Sequence, residues 1–205
     1  MTSMDIPMSL QNIRIPVIPT IPNNLPTPFP VLLAIDLQPQ FKDNAGQYEK
    51  CISFISSHTK DFYIVASAFA NKPGSMYEKH LGWTGCRDVD MSMLEFPFHD
   101  YVEKSGYSLN EHNKFISSEH MWKRIAAGRQ HTGLPAMRYY LMGCDADACV
   151  MATAFSLWDM GLDFVILEDY IYTTAEEFSK SDILKIMKRN FGDCVQSGIP
   201  AHIEE

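Results

Sequence analysis

The stretch that most constrains this chain is residues 31–37, VLLAIDL, an apolar run broken by one carboxylate. A strand with apolar side chains on both faces has to be covered on both sides, which predicts a central parallel strand between helical layers. The rest of the chain supplies what such a sheet needs. Residues 62–69 (FYIVASAF), 99–104, 137–143 (MRYYLMG) and 163–168 (DFVILE) read as further strands, with 193–197 as a last edge strand. Between them, helical spacing is found at 44–58, with Tyr48, Cys51, Ile52 and Ile55 on one face, and again at 117–127. Residues 147–160 form the clearest helix, with Met151, Ala154, Phe155 and Trp158 as its apolar stripe and Gly161 as its cap. Thr174 and Glu177 have capping-box spacing for a final helix running to about residue 189. The alternation predicts an α/β fold: one three-layer domain, with a central, mostly parallel sheet and helices on both faces.

Residues 1–30 stand apart. They hold seven of the twelve prolines, which keep the segment extended, while the Ile and Val residues between them argue against a wholly solvated tail. The reading is a proline-rich arm at 1–30 that lies on its own domain or on a neighbouring subunit, followed by a single domain at 31–205. The second unusual segment is the loop-rich stretch 71–98, too long for a plain connection and therefore a candidate for function.

Composition narrows the function classes. The chain carries 17 basic against 25 acidic residues, a net charge of −8, and no long basic run, so nucleic acid and anionic membrane are poor partners. No apolar stretch approaches the roughly 20 residues that span a bilayer. Five cysteines without a CxxC pair fit neither a disulfide framework nor a zinc site, and a reducing cytoplasm is the expected location. A small-molecule substrate is the expected partner.

Ligands of such sheets bind beyond the carboxyl ends of the strands. Three reactive side chains fall there: Asp36 after the first strand, Lys104 at the end of the third, and Cys149 at the helix start after the fourth. Singly, each has a plainer reading, as a cap, a surface charge and a small buried hydrophobe. Their convergence on one crevice points to chemistry. Cys149 stands out among the cysteines because helix N-terminal amides would stabilise its thiolate and could bind an oxyanion.

Three segments carry a resemblance to a known family. Residues 34–41 (AIDLQPQF) look like the Asp-x-Gln-x-x-Phe signature of the isochorismatase-like cysteine hydrolases, which include nicotinamidases and N-carbamoyl amidohydrolases. Residues 104–108 (KSGYS) are similar to the family's Lys-x-x-Tyr-Ser segment. Leu109 and Asn110 replace the small residue and phenylalanine often found next in that family, which leaves Lys114 as the fallback lysine. Residues 143–153 (GCDADACVMAT) resemble the motif that holds the family's nucleophile.

The resemblance implies a triad of Asp36 as base, Lys104 as its cationic partner and Cys149 as nucleophile. It implies an oxyanion hole from the N–H groups of Asp145 and Cys149, near a cis peptide between Cys144 and Asp145. The implied reaction is hydrolysis of an amide, ureide or carbamoyl C–N bond through a thioester. Vinyl ether hydrolysis and a non-catalytic scaffold role are the alternatives; the intact Cys149 counts against the first and the intact triad against the second. Nicotinamidases of the family carry a metal-binding Asp-x-His cluster after the second strand. Here that stretch reads SAFANKPG (67–74), and His80 and His99 are isolated, so neither metal nor other cofactor is expected. Phe41, Trp83 and Tyr107 are the candidate apolar walls of a substrate pocket, and relatives of this kind form homodimers or homotetramers.

Overall fold

A computed structural model describes residues 28–109 and 136–198. The helix expected at 117–127, the fallback Lys114 and most of the arm lie outside the described residues. Within them, six strands form one sheet in the order β3-β2-β1-β4-β5-β6: β1 Phe29–Ile35, β2 Tyr63–Phe69, β3 Asp100–Lys104, β4 Met137–Gly143, β5 Phe164–Ile171 and β6 Val195–Gln196. Every neighbouring pair is parallel. The chain winds outward from β1 through β2 to β3, then crosses to β4 on the other side of β1. The switch point of the sheet, where a crevice opens at the carboxyl ends, therefore lies between β1 and β4.

Alternation along the strands sorts the core into two layers. Val31, Leu33 and Ile35 of β1 pack with Tyr139, Leu141, Phe164 and Ile166 under helices α3 (Met151–Asp159) and α4 (Lys180–Phe191). Leu32 and Ala34 turn the other way, against Tyr48, Phe54 and Ile55 of α1 (Gln47–Ser57) and against Tyr140 and Met142. All seven β1 residues are buried, as a strand covered on both faces requires.

Several local expectations are corrected. β1 begins at Phe29, so Phe29 and Pro30 pair with Met137 and Arg138 in the sheet. The stretch after β2 contains a short helix, α2 (Met76–Leu81), capped by Ser75, whose hydroxyl accepts from the Glu78 N–H. The last helix starts at Lys180, with Ser179 as its cap, because the Asp145 carboxylate accepts both the N–H and the hydroxyl of Thr174. On α3 the buried face is Thr153, Ala154 and Leu157, whereas Phe155 and Trp158 are exposed. That face is rotated because the turn before the helix is wider than an α-helical one.

Candidate active site

The site is assembled at the ends of the central strands. Asp36 follows β1 in the left-handed region, at φ 49°, a conformation that Asp tolerates better than most residues. Leaving the strand this way tucks its carboxylate over the sheet end, fully buried. Ser67 of β2 holds the bend at two points. Its hydroxyl accepts from the Asp36 N–H at 3.0 Å and donates to Oδ1 at 2.7 Å. Gln38 extends the β1–β2 pairing past the strand: its Oε1 accepts from the Phe69 N–H at 2.7 Å and its Nε2 donates to the Phe69 carbonyl at 3.2 Å.

Lys104 ends β3, two strands away, and its side chain passes 5.1 Å from the Phe69 ring centroid to reach the centre. Its Nζ lies 2.6 Å from Asp36 Oδ2 and donates to the Gly106 carbonyl at 2.9 Å and to Cys149 Sγ at 3.2 Å. Those three contacts fix the ammonium between the strand ends. Burial works against the charge on Lys104, but the Asp36 carboxylate and the Cys149 sulfur outweigh it, so the proton is held more tightly than on a free lysine.

Cys149 is placed by the joint between β4 and its helix. Gly143 has φ 117°, and a Cβ there would stand 2.0 Å from the Ile35 carbonyl oxygen. Only glycine lets β4 end this close to β1, where the Cys144 N–H donates to that same oxygen at 2.9 Å. The Cys144–Asp145 peptide bond is cis. Next comes a π-helical turn, Ala146–Val150, in which the Val150 N–H reaches the Asp145 carbonyl at 3.0 Å. The sequence predicts Cys149 in the first turn of an ordinary α-helix. The wider π turn, a feature that recurs at functional sites, carries it instead.

Burial pushes the Cys149 thiol well above the ordinary cysteine range, and the charge of Asp36 adds to this while Lys104 offsets only part. This direction is opposite to the lowering that a helix start exerts on a thiol, because burial and the Asp36 charge act more strongly than the Lys104 cation. Asp145 stands at the start of the π turn that carries Cys149. Asp145 is anchored through its side chain, which accepts from Cys144 Sγ at 2.7 Å and from the Thr174 N–H at 2.7 Å.

The expected pocket residues join one aromatic cluster. Phe41 and Trp83 stack at 6.4 Å with ring planes 18° apart, and Trp83 packs on Phe69, the ring beneath Lys104. Gly85 permits this, since a Cβ there would lie 2.7 Å from the Trp83 ring. Tyr107 is one ring further out, edge-on to Tyr77 and 46% exposed. Sequence reasoning missed Ser67, Gln38 and Cys86. Cys86 has φ 54° and its sulfur lies 3.4 Å from Gln38 Nε2. Gln38 and Gly143 lie inside the family-like motifs, whereas nothing local marks Ser67.

In the stretch where nicotinamidases carry Asp-x-His, the Phe69 ring packs against Trp83 and Asn71 donates to the Trp83 carbonyl. His99 is stacked on Tyr63 and accepts from the Ile64 N–H, away from the strand ends that hold the site. Among the described residues no group of three or more His, Cys, Asp or Glu side chains could hold an ion. No helix among the described residues is long and apolar enough to cross a membrane.

No protein-family model and no curated protein matches the sequence. Solved structures do match in fold. An isochorismatase family protein from Burkholderia thailandensis aligns with a TM-score of 0.60 at 16% identity, covering 89% of this chain and 100% of that one. Nicotinamidase from Bacillus subtilis aligns at 0.55 and 17% identity, covering 83% and 99%. A Caenorhabditis elegans ribonuclease, MAR1, aligns at 0.55 and 16%, covering 88% and 82%. The chain has the isochorismatase-like fold, and that fold hosts more than one chemistry.

Proposed function

We propose that this chain, built on the isochorismatase-like fold, is a cysteine hydrolase that cleaves a C–N bond of a small amide, ureide or carbamoyl compound. The observation that carries the proposal is the buried contact of Lys104 Nζ with both Asp36 Oδ2 and Cys149 Sγ, at 2.6 and 3.2 Å. A charged pair fully removed from water is costly to maintain, and its placement against a thiol gives it a chemical use.

In the proposed cycle, Asp36 takes the Cys149 proton as the sulfur attacks the substrate carbonyl carbon. Lys104 stabilises the developing thiolate, and the N–H groups of Asp145 and Cys149 receive the oxyanion. Asp36 then passes its proton to the departing nitrogen, and ammonia or an amine leaves a thioester on Cys149. Asp36 next removes a proton from water, the hydroxide attacks the thioester, and the returning sulfur regains its proton from Asp36. Phe41 and Trp83 offer a flat apolar face for a planar acyl group, with Tyr107 at the rim. The net charge of −8 favours a small neutral substrate over a nucleic acid. The assembly we propose is a homodimer or homotetramer, to be read by light scattering.

The test is a panel of small amides, ureides and carbamoyl compounds scored for ammonia release and for an acyl adduct by intact-protein mass spectrometry. Wild type should release ammonia from at least one class and carry the adduct on Cys149, and Cys149→Ala and Asp36→Asn should do neither. Turnover that survives in Cys149→Ala would overturn the cysteine mechanism.

A further inference from the structure

The proposed mechanism needs the Cys149 proton to arrive on the correct oxygen of Asp36, and the sheet supplies a residue that decides which one. Ser67 is fully buried on β2 with its Oγ between two groups of Asp36. It accepts from the Asp36 N–H at 3.0 Å and lies 2.7 Å from Oδ1. A hydroxyl has one proton. With the backbone N–H already pointing at Oγ, that proton is directed to Oδ1. A proton on Oδ1 would face the serine proton across the same short gap, and the hydroxyl would have to turn away into a buried space. Oδ1 is therefore closed to protonation.

Oδ2 has a different environment. It lies 2.6 Å from Lys104 Nζ, the same ammonium that donates to Cys149 Sγ at 3.2 Å, so Oδ2 is the oxygen that shares a partner with the thiol. We propose that Ser67 is a positioning residue that reserves Oδ2 of Asp36 as the oxygen that accepts the Cys149 proton and returns it to the leaving nitrogen. In that step the S–H bond breaks, its electron pair stays on sulfur, and an O–H bond forms at Oδ2. When the leaving nitrogen takes the proton, the carboxylate is restored with Ser67 still donating to Oδ1. The proposal rests on the Asp36–Lys104–Cys149 reading, and it adds a directional role that this triad does not contain.

The test uses iodoacetamide as a probe that needs no knowledge of the substrate. Alkylation of Cys149 is timed by peptide mass spectrometry from acidic to alkaline pH in wild type, Ser67→Ala, Ser67→Thr and Asp36→Asn. Near-ultraviolet circular dichroism checks the fold of each. A carboxylate that loses a hydrogen-bond donor binds a proton more tightly. Ser67→Ala should therefore have its acid-side midpoint moved up by about one pH unit, which makes alkylation about tenfold slower on the acid side of that midpoint. Ser67→Thr, which keeps the hydroxyl, should restore both. A folded Ser67→Ala with the wild-type profile would overturn the role given to Ser67, as would a folded Ser67→Thr as slow as Ser67→Ala. If Asp36→Asn alkylates like wild type, the triad reading falls first, and the two failures are distinguishable.

Discussion

At Cys149 two influences oppose each other, and burial prevails. The sequence places a cysteine near a helix N-terminus, which lowers a thiol pKa, but the folded chain buries it against Asp36, which raises it. The other cysteines are also raised: Cys51 to about 12 by burial, and Cys86 to about 11 by burial with the charge of Asp36. Cys194 is raised as well, by burial, but it alone is partly exposed. We expect iodoacetamide at neutral pH to label Cys194 of the native protein first and Cys149 slowly, with the Cys149 rate rising when a carbonyl-binding ligand is present. Peptide mapping over time checks this. Fast exclusive labelling of Cys149 in the free protein would mean that its thiolate is the resting form.

Among the elements, the joint at the end of β4 matters most. Gly143 combines φ 117° with an approach that leaves no room for a side chain. Gly143→Ala would push β4 away from the Ile35 carbonyl, and Cys149 and Asp36 would be carried apart with the two strand ends. The expected result is a loss of about 3 kcal/mol or more in urea unfolding, together with loss of the Cys149 adduct. Wild-type stability in this variant would mean that the strand ends are not in close contact. By contrast, an alanine at Gly161 meets open space, and only its φ of 65° resists the change. The same substitution there should cost about 1 kcal/mol. The contrast separates a glycine needed for proximity from one needed for a cap.

For the whole molecule, one group outside the site should shape stability against pH. Burial lowers His99 from 6.5 to about 4, and its Nδ1 accepts from the Ile64 N–H at 3.0 Å. A group whose folded pKa is depressed binds its proton more readily when the chain is unfolded, so acid favours unfolding. The His99 contribution should be complete above about pH 6.5. It should decline as the pH falls toward 4. Urea midpoints measured across that window should fall for wild type and fall less steeply for His99→Phe. Parallel slopes for the two proteins would remove His99 from this role.

Much of the architecture is legible in the sequence because burial on two faces leaves a direct signature. The VLLAIDL run and the alternating helical spacings predict the strands of a parallel sheet, and β4 falls at 137–143 as expected. Asp36 and Lys104 stand at strand ends as the sequence places them, and the fold brings both beside Cys149. The features hidden from the sequence depend on contacts between distant segments. Ser67 reads as an ordinary strand serine until β2 lies beside β1 and its hydroxyl meets Asp36. Thr174 reads as a helix cap until Asp145 captures it. The protonation state of Cys149 depends on a carboxylate more than a hundred residues earlier. Local patterning determined which elements form and which face is apolar, since those follow from each residue's own preference for water or core. Tertiary structure alone decided the wiring of the site, because hydrogen bonds and buried charges take their strength from neighbours that only folding brings together.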